Sequence, residues 1–199
     1  STTSAGLKTP TAGQSLVALT GIDRAVPIVA SVADAIAYQP DVLAIGIAPS
    51  GGALPEPWRQ EVAVAVQRGL SVVNGLHTPM ADDPDLRSHL SDGQWIWDVR
   101  REPTGLSVGS GQAQSLSAKR VLTVGTDMAV GKMSTSIELY RAARSAGLRS
   151  AFVATGQTGL MLGHPGVPLD AIRIDFASGA VESAVLAQGQ DKDIIFVEG

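Results

Sequence analysis

The sequence predicts an α/β protein made of two parallel-sheet units in series, and three observations carry that expectation. From Val26 onward, β-rich runs of 4–7 residues alternate with helix-compatible stretches of 8–15 residues, the pattern of strand–helix–strand units. Residues 101–118, REPTGLSVGSGQAQSLSA, interrupt the alternation with Gly, Ser and Pro and little apolar periodicity, as a connection between units does. An apolar run, a glycine-framed loop and an amphipathic stretch then restart it. The expected organisation is residues 1–105 as the first unit, 106–118 as a linker and 119–199 as the second unit.

In the first unit, VPIVAS (26–31), VLAIGIA (42–48), SVVNG (71–75) and WIWDVR (95–100) are expected strands, being short, apolar and rich in β-branched residues. Between them VADAIAYQ (32–39), PEPWRQEVAVAVQRG (55–69) and DPDLRSHL (83–90) are expected helices. The middle one has the clearest ends, with Pro55 and Pro57 at its start and Gly69 after its last turn. In the second unit RVLTVGT (120–126) is a strand, residues 131–146 a helix with Gly147 as its C-cap, and SAFVATG (150–156) a strand. A helix over about 177–188 and a final strand, IIFVEG, complete it. Three strands are few for an independent sheet. The chain also starts on Ser1 and stops at DIIFVEG, so the expectation is the interior of a longer protein.

Composition narrows the functional classes. A net charge of −4 and a pI near 5.3 give no basic face, which speaks against a nucleic-acid partner. No apolar run approaches the roughly 18–20 residues that a membrane-spanning helix needs, and no signal-peptide pattern is present. The chain has no cysteine, which removes disulfides, thiolate metal ligands and a cysteine nucleophile. A cytoplasmic protein with no membrane partner is expected. Acidic, aromatic-poor units with short sheets need partners for their remaining apolar faces, so a homo-oligomer, most simply a two-fold dimer, is expected as well.

The richest stretch is VLTVGTDMAVGKMSTSIELYRAA, residues 121–143. A phosphate-binding P-loop reads G-x-x-x-x-G-K-[ST] between a strand and a helix. Here five residues separate Gly125 from Gly131, Lys132 follows, and Met133 stands at the hydroxyl position. Glycines let backbone N–H groups approach phosphate oxygens, the helix start adds partial positive charge, and Lys132 adds a full one. Gly125, Thr126, Asp127, Val130, Gly131, Lys132, Met133 and Ser134 are therefore the candidate cofactor-binding residues. A phosphoryl-transfer loop holds Mg²⁺ through the hydroxyl after the lysine, and Met133 has none. Ser134 is one residue further, about 100° around the helix. This favours gripping a pyrophosphate without cutting it, as for acetyl-CoA, over ATP with Mg. No metal ligand set is expected, because no pair of histidines has metal-ligand spacing.

Other candidates follow expected strands, where open parallel sheets bind ligands. Ser50, Gly51 and Gly52 follow one strand and Asn74-Gly75-Leu76-His77 another. Thr155, Gln157 and Thr158, in ATGQTG, offer amides and hydroxyls for a carboxylate or acyl oxygen. His77 could take a proton from an amine; Asp175, after AIRI at an expected strand end, and Glu198, after IIFV, could act as bases or hold a metal. His164, in a turn after TGQTG, could reach a ligand. Trp58, Trp95 and Trp97 are most simply packing residues.

GTDMAVGK resembles the GTDTxVGKT loop of dethiobiotin synthetases, and the terminal FVEG resembles their VEGAGG. A fuller run of motifs, from IGIAPSGGALPEPWR and GLHTPMADDPDL through RVLTVGTDMAVGKMSTSIEL, AFVATGQTGLM and DAIRIDFASGAVE to VEG, resembles the DUF1611 proteins, represented by the D-glutamate N-acetyltransferases. VPIVASVADAIAYQPDVLAIGIAPSGG with AVQRGLSVVNGLH is also similar to the CoA-binding domain of succinyl-CoA synthetases. These resemblances imply a Rossmann-like unit followed by a P-loop NTPase-like unit. They also imply transfer of an acetyl group from acetyl-CoA to an acidic amino acid, D-glutamate. An ATP- and Mg-dependent ligase or kinase like the dethiobiotin synthetases, with Lys132, Asp175 and Glu198 around the metal, is the alternative. A non-enzymatic nucleotide-binding module is the third.

Overall fold

Two three-stranded parallel sheets, one in each of two units, organise the chain: Ser1–Asp98 forms one unit and Val99–Gly199 the other. The computed structural model describes residues 12–15, 17, 23, 26–47, 49 and 53–199.

The first sheet has the order β1–β2–β3, from Val42–Ile45, Ser71–Asn74 and Ile96–Asp98. Its register pairs Val42 with Ser71 and Val72 with Ile96. Helix α1 (Val32–Ala35) precedes β1, α2 (Glu56–Gln67) lies between β1 and β2, and α3 (Pro84–Arg87) lies between β2 and β3. Helix α2 ends as its sequence suggests. Gly69 N–H donates to the Val66 carbonyl and Leu70 N–H to that of Ala65, both at 3.0 Å, closing the last turn in a Schellman motif. Val62 and Val66 of α2 pack with Ile45, Val72, Leu76, Met80 and Leu86. Residues 26–31 are not the strand expected of them; Pro27 makes only an isolated antiparallel bridge to Ser15. Proline has no N–H to give to a ladder. The helix expected over 32–39 shortens to α1 and a 3₁₀ turn, Ile36–Tyr38, ended by Gln39 at φ 52°.

The second sheet has the order β4–β6–β5, from Lys119–Leu122, Ile194–Val197 and Ser150–Val153. Its central strand β6 is buried on both faces, so IIFV reads as an unbroken apolar run. The period of two sorts the side chains. Ala151, Val153, Ile195 and Val197 pack with Val185 of α6 (Ile174–Gly189). Phe152, Ala154 and Phe196 pack with Ile137 and Ala143 of α4 (Lys132–Ser145). Helix α4 closes with the same capping motif as α2, Gly147 N–H to the Arg144 carbonyl and Leu148 N–H to that of Ala143.

Helix α6 starts earlier than expected. AIRI is not a strand; Leu169–Ala171 is a 3₁₀ turn and α6 begins at Ile174, so Asp175 lies in a helical first turn and not at a strand end. The segment 106–118, despite its linker composition, is packed on α6. Glu182 of α6 accepts hydrogen bonds from the Ser110 and Ala113 N–H groups and the Ser110 hydroxyl. Leu116 joins the core beneath.

Candidate functional site

The loop between β4 and α4 is shaped by its own backbone. Gly131, the N-cap of α4, sits at φ 95°, and no side chain caps the helix, so its first N–H groups stay directed outward. Ala129 adopts φ 55°, a left-handed conformation that costs a non-glycine residue about 1–2 kcal/mol. A Cβ at Gly125 would stand 2.8 Å from Val130 Cγ2 and 3.1 Å from Lys132 Cδ. Met128 N–H donates to the Asp127 carboxylate at 2.7 Å. Lys132 Nζ donates to the Asp127 carbonyl, also at 2.7 Å.

A cavity of about 480 Å³ opens beside this loop, lined by Met128, Ala129, Gly131, Lys132, Met133 and Ser134, by Gln157 and Thr158, and by Glu198 and Gly199. Its three contributors lie at the carboxyl ends of the parallel strands β4, β5 and β6, as the topology requires. Gln157 and Thr158 open α5 (Gln157–Met161) just after β5. Glu198 follows β6, which pairs with β4. Its Oε2 accepts the Thr155 and Gly156 N–H groups at 3.0 and 3.2 Å, and the Thr155 hydroxyl donates to its carbonyl at 3.1 Å. The cavity thus presents Lys132 and Glu198, one positive and one negative group, with Lys132 itself at the uncapped start of α4.

Among the expected site residues, Lys132, Gly131, Met133, Ser134, Gln157, Thr158 and Glu198 share this cavity. Gly125, Thr126, Asp127 and Val130 belong to the loop without lining it, and Thr155 acts through Glu198. Met133 also packs against the Ile137, Phe152 and Phe196 cluster, so this position serves the core. Ser134 is exposed on the cavity wall. Asp175 is exposed and does not line the cavity. Among the described residues, no group of three or more acidic or histidine side chains is placed to hold a metal ion. His164 turns away from the cavity lining and packs on Phe152 and Tyr140, at 4.7 and 5.8 Å between ring centres. Ser50, Gly51 and Gly52 lie outside the described residues.

His77 is exposed on the loop after β2, in the first unit. That loop is braced from below. Asn74, fully buried, donates to the Thr78 carbonyl at 2.8 Å and to Asp98 at 2.7 Å, and accepts the Leu76 N–H. Asp98 in turn accepts the Met80 and Ala81 N–H groups. The first unit also has an apolar cavity of about 430 Å³ bordered by Leu43, Ile45, Trp58 and Val62. Its acidic residue, Glu61, accepts the Val32 N–H at 2.7 Å. It has no converging set of charges such as Lys132 and Glu198 make, and the cavity of the second unit is the better candidate for chemistry.

Family models place this geometry. The DUF1611 P-loop domain, described as a domain of unknown function, matches residues 107–199, and the DUF1611 N-terminal Rossmann-like domain matches residues 9–102. The chain belongs to the DUF1611 family. Its first unit is therefore Rossmann-like and its second a P-loop domain. A DUF1611 protein from Anabaena variabilis ATCC 29413, solved by crystallography at 2.30 Å, is similar with a TM-score of 0.91 and 59% identity. The match covers 94% of this chain and 55% of that one. Two proteins named D-glutamate N-acetyltransferase are also similar. One, from Tritonibacter scottomollicae, is 37% identical over 141 residues, 70% of this chain and 42% of that protein. The other, from Pseudoalteromonas sp, is 35% identical over 154 residues, 77% of this chain and 46% of that protein. The chain spans under half the length of these curated relatives. No helix among the described residues is long and apolar enough to cross a membrane.

Proposed function

We propose that the protein is an N-acetyltransferase that moves an acetyl group from acetyl-CoA to the amino group of D-glutamate. The observation that carries this is the likeness, at 35–37% identity, to two proteins named for that activity. The cavity supports the phosphate-binding part. Gly131, the uncapped first turn of α4 and Lys132 suit the pyrophosphate of a CoA ester. Binding it requires no hydroxyl at position 133, where Met133 packs into the core. CoA supplies the activated thioester; the protein's part is to hold the anion and present the acceptor amine.

The whole protein should release free CoA and form the N-acetyl amino acid from acetyl-CoA and D-glutamate with no ATP present, and EDTA should leave most of that rate. A second reading, an ATP- and Mg-dependent ligase or kinase, draws on Lys132 and Glu198, which follow the paired strands β4 and β6 of a P-loop domain and line one cavity. Turnover that demands ATP with Mg and releases ADP or phosphate would establish it instead. Tight nucleotide binding with no turnover would leave a regulatory module. We also propose a two-fold homodimer in the cytoplasm; a monomer mass by light scattering at micromolar concentration contradicts the dimer.

A further inference from the structure

Glu198 is held in the cavity more elaborately than a lining residue needs to be. Its Oε2 takes two backbone N–H groups and its carbonyl takes the Thr155 hydroxyl. Two glycines, Gly156 and Gly159, stand against the carboxylate. A Cβ at Gly159 would stand 2.9 Å from Glu198 Oε2 and 2.7 Å from the Ala154 Cβ. A Cβ at Gly156 would stand 3.2 Å from Oε1. Only glycine at 159 leaves the carboxylate where it is. Yet Oε1 accepts no hydrogen bond among the described residues, although Glu198 is half-buried. Oε1 is not sealed in the interior, so an incoming donor can reach it. The nearest full positive charge on the cavity wall, Lys132, donates to the Asp127 carbonyl.

We infer that Glu198 receives the α-ammonium of the acceptor amino acid, with Gly159 and Gly156 as the positioning residues that seat it. This rests on the acetyl-transfer reading. Oε1 takes one proton from the ammonium, and the freed amine attacks the thioester carbonyl carbon. The C–N bond forms as the C–S bond breaks. The leaving thiolate takes a second proton from nitrogen, which gives an amide and a free thiol, and Glu198 returns its proton to water. Lys132, on the same cavity, keeps the phosphates of the donor apart from the acceptor's positive end.

The test uses the whole protein and three variants. Glu198→Gln preserves size and an accepting oxygen but cannot take the proton. It should lower kcat about 100-fold, the scale of a lost general base. It should also weaken D-glutamate binding in calorimetry while leaving the affinities for acetyl-CoA and for glutarate, which has no amine, unchanged. Gly159→Ala, which displaces the same carboxylate, should raise the KM for D-glutamate and leave that for acetyl-CoA; Gly156→Ala should do so more weakly. If Gly159→Ala does not fold, Glu198→Gln decides alone. Wild-type kcat and D-glutamate KM in Glu198→Gln would overturn the inference while the transfer reading stands. So would a Glu198→Gln variant that loses acetyl-CoA or nucleotide affinity only when Mg is present, because the carboxylate would then serve a metal. If the wild-type protein forms no CoA at all, the transfer reading fails first and the inference falls with it.

Discussion

Lys132 and its neighbour Met133 divide the work of the loop between charge and packing. Lys132 donates to the Asp127 carbonyl and lines the cavity; no core contact depends on its ammonium. Lys132→Ala should therefore fold normally and lose one charge-assisted contact to a phosphate, about 1.5–3 kcal/mol. Calorimetry with acetyl-CoA reads this as roughly a 10- to 150-fold weaker Kd, and an unchanged Kd in a folded variant removes Lys132 from the site. Met133 behaves in the opposite way. Its side chain packs with Ile137, Phe152 and Phe196, so Met133→Thr, which restores the usual P-loop hydroxyl, should cost about 1–3 kcal/mol of stability from lost packing and the buried hydroxyl. It should not create ATP hydrolysis; ADP release by that variant would show that the hydroxyl alone was missing. The loop was legible because glycine and lysine spacing reports backbone geometry directly. The Glu198 seat was legible only in part. The acid stood out in FVEG, but its support comes from two missing Cβ atoms in ATGQTG, and spacing alone does not say which neighbour a glycine makes room for.

Helix α6 and the segment that lies on it show where pattern reading fails and why. AIRI looks like a strand because Ile172 and Ile174 alternate with polar neighbours. In the fold Ile172 is buried in a small cluster with Val167 and Ala180, while Ile174 is 86% exposed and opens a helix. Two apolar residues at spacing two were thus fulfilling unrelated tasks. The glycine- and serine-rich stretch before β4 misleads in the same way, because its contacts run through backbone. Ser110 and Ala113 give their N–H groups to Glu182, and a Cβ on Gly179 of α6 would come 1.9 Å from the Ser107 carbonyl oxygen. The segment reaches the helix only because position 179 has no side chain. Alanine would be a better helix former than glycine by about 1 kcal/mol, yet the clash is with backbone that has no rotamer to change. Gly179→Ala should therefore destabilise the protein by about 1–3 kcal/mol, read as a lower urea midpoint. A midpoint equal to or above that of the wild type would mean that the segment does not dock there.

Acidic pH should weaken both units, and the sign follows from four carboxylates. The side-chain hydrogen bond from Arg59 lowers the pKa of Asp83, which also caps α3 in the first unit. In the second unit the Arg173 N–H lowers that of Glu102, the Ala113 N–H that of Glu182, and the Arg149 side chain that of Asp193. Each contact joins residues far apart in sequence, 24 for Arg59–Asp83 and 44 or more for the other three, so none exists in the unfolded chain. A carboxyl group whose folded pKa is depressed stabilises the fold fully above its unfolded pKa, about 3.9–4.3, and loses that contribution as pH falls through the folded value. Between the folded and unfolded pKa values the unfolded chain binds protons more readily than the native one, so stability must fall as pH falls through that window. The four sites are solvent-accessible and screened, which keeps each contribution modest and sensitive to salt. The thermal midpoint should stay nearly level from neutral pH down to about 5 and then drop below about 4. Glu182→Gln should start from a lower midpoint at neutral pH and lose less on acidification, because it has no proton to gain. Wild-type and variant melting curves that fall in parallel below pH 4 would show that the contact between Glu182 and the 110–113 backbone contributes nothing to acid sensitivity.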